Sequence, residues 1–554
     1  MSRPDAFLRA ILESPDDDGP RLVYADWLDE QADPHGEFIR AQCEAERLPE
    51  GDARRAELER QSGDWLDRHE AGWLGPLAAV LRRWHYRRGF LDEVEVAPRP
   101  FLRHADELFR VAPACRVRFR PTWRREPSLG ELLDEPAVGR LAGLDLRDYP
   151  ATDTLACVAR GKRLHRLRDL DVSGQENGLI RVADPGLVKA LAARHRLRRL
   201  TTLKLRECRF GDAGLRALAA EPVLTELRHL DLAFNELTGA GLRALTAQPA
   251  FARLERLDLG GIRLGPDGMR ALVEAPYLTR LRGLWLDAAT DVSVPRLAAS
   301  SMLAGLTDLS LGGTGLDDAA AVALARSPAA ARLTHLGLSR NRFSPAGLAA
   351  LASAPPLAGL RSLVLDRAEL HAGDLRALLA AARWDGLRGL ILRANPLGDE
   401  GAAVLADWPG VAGLTRLDLA DTELTPAGLP RLLAGLGGGG LAALDLALNP
   451  LGDAGLEELA ASPVLGALTE LSLGDTGFTA RGLAAVVSSP FVGRLAALRF
   501  GEEVFLRGMV AALAKAPGLT RLRRLDLTAA HLDAEARQTL RERWGNRVEF
   551  PAGR

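Results

Sequence analysis

The stretch LRHLDLAFNELTGAGLRALTAQ, residues 227–248, decides how this chain folds. In its first half Leu230 and Leu232 alternate with polar or small neighbours, the period of a strand that turns one face to a core. In its second half the period changes, because Leu242 and Leu245 stand three apart and so share one side of a helix. Strand, turn and helix follow one another in a segment too short to enclose its own leucines.

The same spelling returns along the chain. An L-x-x-L-x-L motif opens at Leu200, Leu227, Leu254, Leu281, Leu306, Leu333, Leu360, Leu387, Leu414, Leu441, Leu468, Leu495 and Leu522. The interval is 27 residues throughout, except for 25 between Leu281 and Leu306. Looser copies open at Leu141 and Leu167. The helical pair recurs with it, as Leu215/Leu218, Leu348/Leu351, Leu375/Leu378, Leu429/Leu432 and Leu456/Leu459. A fixed period of this size is the signature of a solenoid whose units bury their leucines only against one another. Strands stack at about 4.8 Å whereas helices need about 8–10 Å, so stacking must bend the array with its strands on the inside. The expected fold is an α/β horseshoe with a concave parallel sheet and helices on the convex rim.

Three positions after the third leucine the residue is Asn235, Asn341, Asn395 or Asn449 in alternate units. Units between them carry Ile262, Thr314, Ala368, Thr422 and Thr476, and Cys208 stands in the same column. The alternation points to growth by duplication of a pair of units. Asn and Thr can hydrogen-bond backbone groups where the chain leaves a strand, so a structural role is expected for this column.

The strand-then-helix unit, with its LxxLxLxxNxL and GLxxLA spelling, resembles the leucine-rich repeats of the ribonuclease-inhibitor subtype over about 70% of the chain. What the resemblance implies is a solenoid that binds other proteins along its concave sheet. A eukaryotic branch activates a small GTPase and some bacterial members are effectors, but no residue here carries either job over.

The N-terminus does not repeat. Phe7, Leu8, Ile11 and Leu12, then Val23, Trp27 and Leu28, then Phe38 and Ile39 onward to Leu48 give three apolar stripes, predicting three short helices over residues 5–48. Pro15 with Asp18-Gly19-Pro20, and Asp33-Pro34-His35-Gly36, break them apart. So small a bundle should dock on the first repeats, where it would shield leucines from water. Tyr24-Ala25-Asp26-Trp27-Leu28-Asp29-Glu30, the Asp33-Pro34 turn and Gly36-Glu37-Phe38-Ile39-Arg40 with Gln42 resemble the repeat-companion domain at the N-termini of bacterial leucine-rich-repeat proteins. Arg87 to Val96 and Phe101 to Phe109 are similar to its continuation. The resemblance implies no activity. The expected organisation is a helical companion domain over 1–50, a helical and strand transition that caps the solenoid over 51–135, repeats over 136–530 and a C-terminal cap over 531–554. In that cap Arg541, Glu542 and Arg543 offer a polar helix face and Val548 with Phe550 form a closing strand, which argues against a further downstream domain.

Chemistry is sparse. Asp26, Asp29 and Glu37 are candidates for catalysis or metal binding, but Asp26, Asp29 and Glu30 read more simply as the wet side of the second helix and Glu37 as a first-turn acid. Asp16-Asp17-Asp18-Gly19 lacks the spacing of a calcium loop and its closing glutamate. The run Gly435 to Gly440 fits G-x-G-x-x-G but follows a helix and enters a strand, the reverse of a dinucleotide fingerprint. Cys43, Cys115, Cys157 and Cys208 are too scattered for a disulfide framework or zinc site, so buried thiols are expected. No nucleophile elbow, phosphate loop or paired-histidine zinc motif occurs. No enzyme and no cofactor are expected.

The surface carries the remaining signal. With 72 basic and 73 acidic residues the chain has no global field for nucleic acid or anionic membrane, and no run long enough to span a bilayer or serve as a signal peptide. A cytoplasmic monomer that binds a protein partner, and neither nucleic acid nor membrane, is expected. Between the second and third leucines of each unit the side chain should face the concave side. The aspartates there, Asp145, Asp171, Asp231 and Asp258 among them, read as a solvated face. Trp285, Val364 and Ile391 instead put apolar groups on it, with Asp287, Asp308, His335, Asp366 and Arg393 as a mixed-charge rim. Such a patch is the expected partner-binding surface.

Overall fold

A computed structural model describes residues 3–48, 52–121, 126–149, 151–174, 197–220, 224–437 and 439–550. Part of the expected array, residues 175–196, and Gly438 of the glycine run lie outside the described residues. The chain forms two compact units, Met1–Asn235 with Gln248–Arg253, and Glu236–Ala247 with Leu254–Arg554.

The first unit opens with α1 (Arg3–Glu13), α2 (Gly19–Glu30), α3 (His35–Arg47) and the long α4 (Ala53–Leu74). Asp52 caps α4 by accepting from the Arg54 and Arg55 amides. Ile11, Ala25, Leu28, Ile39 and Cys43 make the core of the first three helices. Val23 is not in it, being 54% exposed; the buried line of α2 runs through Arg21, Ala25 and Leu28, the spacing of one helical stripe.

Phe90 completes that core from outside the helices. It begins β2 (Phe90–Val96), the second strand of a hairpin with β1 (Leu81–Arg87). The two-residue turn needs positive φ at both positions, 51° at Arg88 and 84° at Gly89. A side chain at Gly89 would fall 2.7 Å from the Ile39 Cα, so glycine is what allows the hairpin tip to seat on α3. Asp16, in the loop after α1, adds a contact to the repeats through Arg168, 2.5 Å away. The helices thus dock on both the hairpin and the repeat edge.

Parallel pairing starts at β2, ahead of the first leucine motif. Val94 pairs with Val117, Val117 with Leu144, Leu144 with Leu170, Leu170 with Leu203 and Leu203 with Leu230. In the second unit one continuous register joins Leu257, Leu284, Leu309, Leu336, Leu363, Leu390, Leu417, Leu444, Leu471, Leu498 and Leu525, and ends at Val548. All of these are buried. The leucine-rich solenoid expected from the spacing is therefore present, with one helix between most successive strands. The 25-residue unit owes its length to a helix of only five residues, Val294–Ala298.

The asparagine column is structural, and its geometry explains why it alternates. Asn395 Nδ2 donates to the carbonyls of Leu392 in its own unit (2.7 Å) and Leu365 in the preceding one (2.9 Å). Its Oδ1 accepts from the Ala368 and Leu370 amides, each at 3.0 Å. One amide thus satisfies both units, and the column position of the earlier unit is left to a small residue, Ala368. Asn341 serves the Thr314 unit, Asn449 the Thr422 unit and Asn235 the Cys208 unit in the same way. Buried backbone groups left without partners would each cost about 1–3 kcal/mol.

Candidate binding surface

Each strand is three residues long in the repeats, and alternation sends its middle leucine inward and its first and third residues to the open face. In the second unit this writes two rows across neighbouring strands. One reads Gly283, Asp308, His335, Ser362, Gly389; the other Trp285, Ser310, Gly337, Val364, Ile391. Asp287, Asp366 and Arg393 each lie two residues beyond a second-row residue, Trp285, Val364 and Ile391.

All eight expected residues reach this face, but they do not form one patch. Val364 and Ile391 are register neighbours. Trp285 stands three strands from Val364, about 14 Å at the usual strand spacing, with Ser310 and Gly337 between. Its ring also folds back along its own strand. A Cβ at Gly283 would lie 2.5 Å from the Trp285 Cη2, so the indole occupies the space a side chain would take there. Trp285, Val364 and Ile391 are all half-buried rather than fully exposed.

Most of the rim is tied down from within. Asp287 Oδ1 accepts from Ser310 Oγ and from the Gly312 amide, both at 2.6 Å. Asp308 accepts from Thr307 Oγ1 (2.6 Å) and sits 3.3 Å from His335 Nδ1, which is also 2.9 Å from Thr334 Oγ1. Asp366 accepts from Ser339 Oγ. The Arg393 guanidinium, beside Ile391, makes no hydrogen bond or ion pair at contact distance among the described residues, but its charge acts on Asp418 of the next strand. Farther along the row, Asp418 faces Asp445, and burial followed by that like charge pushes the Asp418 carboxyl upward against the pull of the Ala420 amide.

The sheet face of the first unit is different, and it corrects the reading of its aspartates as solvated. Asp145 is 0% and Asp171 2% exposed. Arg147 Nη2 lies 2.7 Å from Asp145 and 3.2 Å from Asp171, with Arg116 and Lys204 at 3.6 and 3.8 Å from Asp171. Glu95 and Arg118 extend the row, Arg120 pairing with Glu95 at 3.1 Å. Carboxylates so covered are held by their cations. The sequence signal was there in the arginines flanking these columns, but pairing across strands cannot be read from one strand.

The N-terminal acids are likewise engaged separately. Asp26 and Asp29 both meet Arg40 Nη2, at 2.7 and 2.5 Å, and so join α2 to α3. Glu37 is exposed in the first turn of α3. Asp17 Oδ1 accepts from the Gly19 amide (2.9 Å), and buried Asp18 takes Arg47 at 2.8 Å. Among the described residues no three His, Cys, Asp or Glu side chains converge as a metal site would require. Tyr24 and Trp27 stack at 5.8 Å and pack with Phe7 and Phe90, so the aromatic motif grips the hairpin. Cys43, Cys115 and Cys208 are buried, and burial pushes each thiol up to about 12, where it is unreactive. The glycine run begins inside a helix, Leu429–Leu436, and its later described glycines precede a strand beginning at Ala443. No helix among the described residues is long and apolar enough to cross a membrane.

With this geometry in view, the chain can be compared with known proteins. A family model described as Leucine Rich repeat matches residues 197–219, 223–245, 332–352 and 441–460. No curated protein matches the chain. Among solved structures, an internalin (inlF) from Listeria monocytogenes is similar at 18% identity over 63% of this chain and 92% of its own, with a TM-score of 0.34. TLR13 in a complex with ssRNA13 is similar at 17% identity over 76% of this chain and 64% of its own, TM-score 0.40. A chain of the Rad7 and Elc1 complex in yeast is similar at 16% identity over 64% of this chain and 89% of its own, TM-score 0.42.

Proposed function

We propose that this leucine-rich-repeat protein is a non-enzymatic scaffold that takes a protein partner on the open sheet face of its second unit. The observation that carries the reading is the pair Val364 and Ile391, apolar register neighbours on a face whose acids are mostly bonded from within, with Arg393 beside them. Apolar anchors ringed by polar groups are how interfaces concentrate their energy. Trp285 is a second anchor, with Asp287, Asp308, His335 and Asp366 between and around the two. We read the N-terminal helices as a repeat-companion domain of a bacterial protein, and the chain as a cytoplasmic monomer that binds neither nucleic acid nor membrane. An activator of a GTPase in trans finds no residue in its support.

The test is a pull-down with the full chain against the Trp285→Ala/Ile391→Asp variant, alongside thermal melting of both. Loss of a specific protein partner with an unchanged melt supports the reading. A partner retained at equal strength by the variant refutes it.

A further inference from the structure

The first unit holds a cleft of about 1000 Å³ that the sheet face does not involve. One wall is the loop after α1, with Glu13, Asp16 and Asp17; the other is the entry edge of successive repeats, with Arg166, Arg168, Arg198 and Arg199 and one acid, Glu226. Leu12, Pro15 and Ala142 add apolar lining. The volume suits several residues of an extended chain.

The charges on the two walls are not equally spent. Arg168 is neutralised by Asp16 at 2.5 Å. Arg166, Arg198 and Arg199 are exposed and make no ion pair or side-chain hydrogen bond among the described residues. Opposite them, Asp17 already accepts from the Gly19 amide. Glu226, on the same wall, is paired with Arg253, so among the described residues the repeat wall keeps a positive charge without an ion pair, in a protein with no net field to explain it.

We propose that this cleft is a docking site for an acidic segment of a protein partner, its carboxylates turned to Arg166, Arg198 and Arg199. The chain itself shows the contact in miniature, since the loop Pro15-Asp16-Asp17-Asp18 is an acidic segment that already touches one arginine of this wall. Guanidinium and carboxylate pair through two parallel hydrogen bonds, which a row of arginines can repeat along a strand of peptide. A nucleic-acid backbone fits less well, because its phosphates project on all sides and would face Glu13 and Asp17 across the cleft. A peptide can turn acids to one wall and neutral groups to the other.

The test uses the full chain and a fluorescein-labelled peptide in which aspartate alternates with serine, read by anisotropy against the same peptide with asparagine for aspartate. Saturable binding of the acidic peptide alone, weakened about ten-fold by Arg198→Glu/Arg199→Glu and by raised salt, is expected. Ile391→Asp should leave it unchanged, so this site and the sheet face fail independently. Hydrogen exchange on the wild-type chain supplies a reading that needs no variant, with peptide-dependent protection expected around 164–168 and 197–201. Absence of saturable binding, equal binding by the charge-reversed variant, or tighter binding of a single-stranded RNA oligonucleotide than of the peptide overturns the proposal.

Discussion

Asp16 and Arg168, far apart in sequence, meet at 2.5 Å, while the Asp16 carbonyl accepts from Arg88 Nη1 at 3.0 Å. One loop residue therefore touches both the hairpin and the repeats. The two contacts differ in what they contribute from Phe90, which fills the helical core from the same hairpin.

Exposed ion pairs contribute little and buried aromatic rings a great deal, so the two kinds of docking contact should separate cleanly. Asp16→Ala is expected to cost under about 1 kcal/mol. Phe90→Ala should cost about 3–5 kcal/mol. Denaturant melts followed by the fluorescence of Trp27 and Trp73, with hydrogen exchange over α1 to α3, measure both.

Asn395→Ala should cost about 2–4 kcal/mol, because it strands carbonyls and amides of two units at once. Thr422→Ala removes a hydroxyl that donates to the Leu419 carbonyl at 2.7 Å, with Asn449 Oδ1 a second acceptor at 3.2 Å, and should cost about 1 kcal/mol. Hydrogen exchange should show the Asn395→Ala loss in both the 360 and the 387 repeats. Loss confined to one of them would contradict the shared role.

His35 lies half-buried against Trp73, ring centroids 4.5 Å apart, with Nε2 2.6 Å from the Gly89 carbonyl. Burial lowers its pKa below the ordinary imidazole range, against the pull of the Gly89 carbonyl and Asp33. The unfolded chain then binds the proton more readily than the folded one. Stability is complete above the unfolded value, about 6.5, and is lost as pH falls below it toward the folded value. The helical domain should loosen on acidification from about pH 7 to 5, read by Trp73 fluorescence, and His35→Gln should flatten that part of the curve.

For Asp418 the sign is opposite. A carboxyl whose folded pKa is raised favours the folded state most when protonated, so its contribution falls as pH rises through the acid range. Asp418→Asn keeps an oxygen for the Ala420 amide, 3.0 Å away, and relieves the charge facing Asp445. It should stabilise the second unit by about 0.2–1 kcal/mol at neutral pH and by nothing well below the carboxylate range. Paired thermal melts at the two pH values decide it.

Leucine spacing made the repeats legible, because a period of two followed by a helical pair admits few folds. It did not extend to Val94 and Val117, which stand in the leucine column without the flanking leucines that mark a unit. Alternation also says which face a side chain leaves from and nothing of where it goes next. Trp285 leaves for the open face and then lies along its own strand over Gly283. Asp145 and Asp171 leave for the same kind of face in the first unit and are covered by Arg147, which the sequence places only two residues past Asp145. Asn395 was legible as structural, but the reason for its alternation required knowing that one amide spans two turns of the array.

That span sets a grammar for editing the molecule. From Thr314 to Thr476, where the alternation is unbroken, a single repeat excised or spliced in would set two asparagines side by side, or leave two of the small residues adjacent with neither supplying the bridging amide. Within that stretch repeats taken out or added in twos preserve the pattern, so the natural quantum of lengthening there is the couple, and chains that lose a single repeat from it should reveal this by melting at the cut.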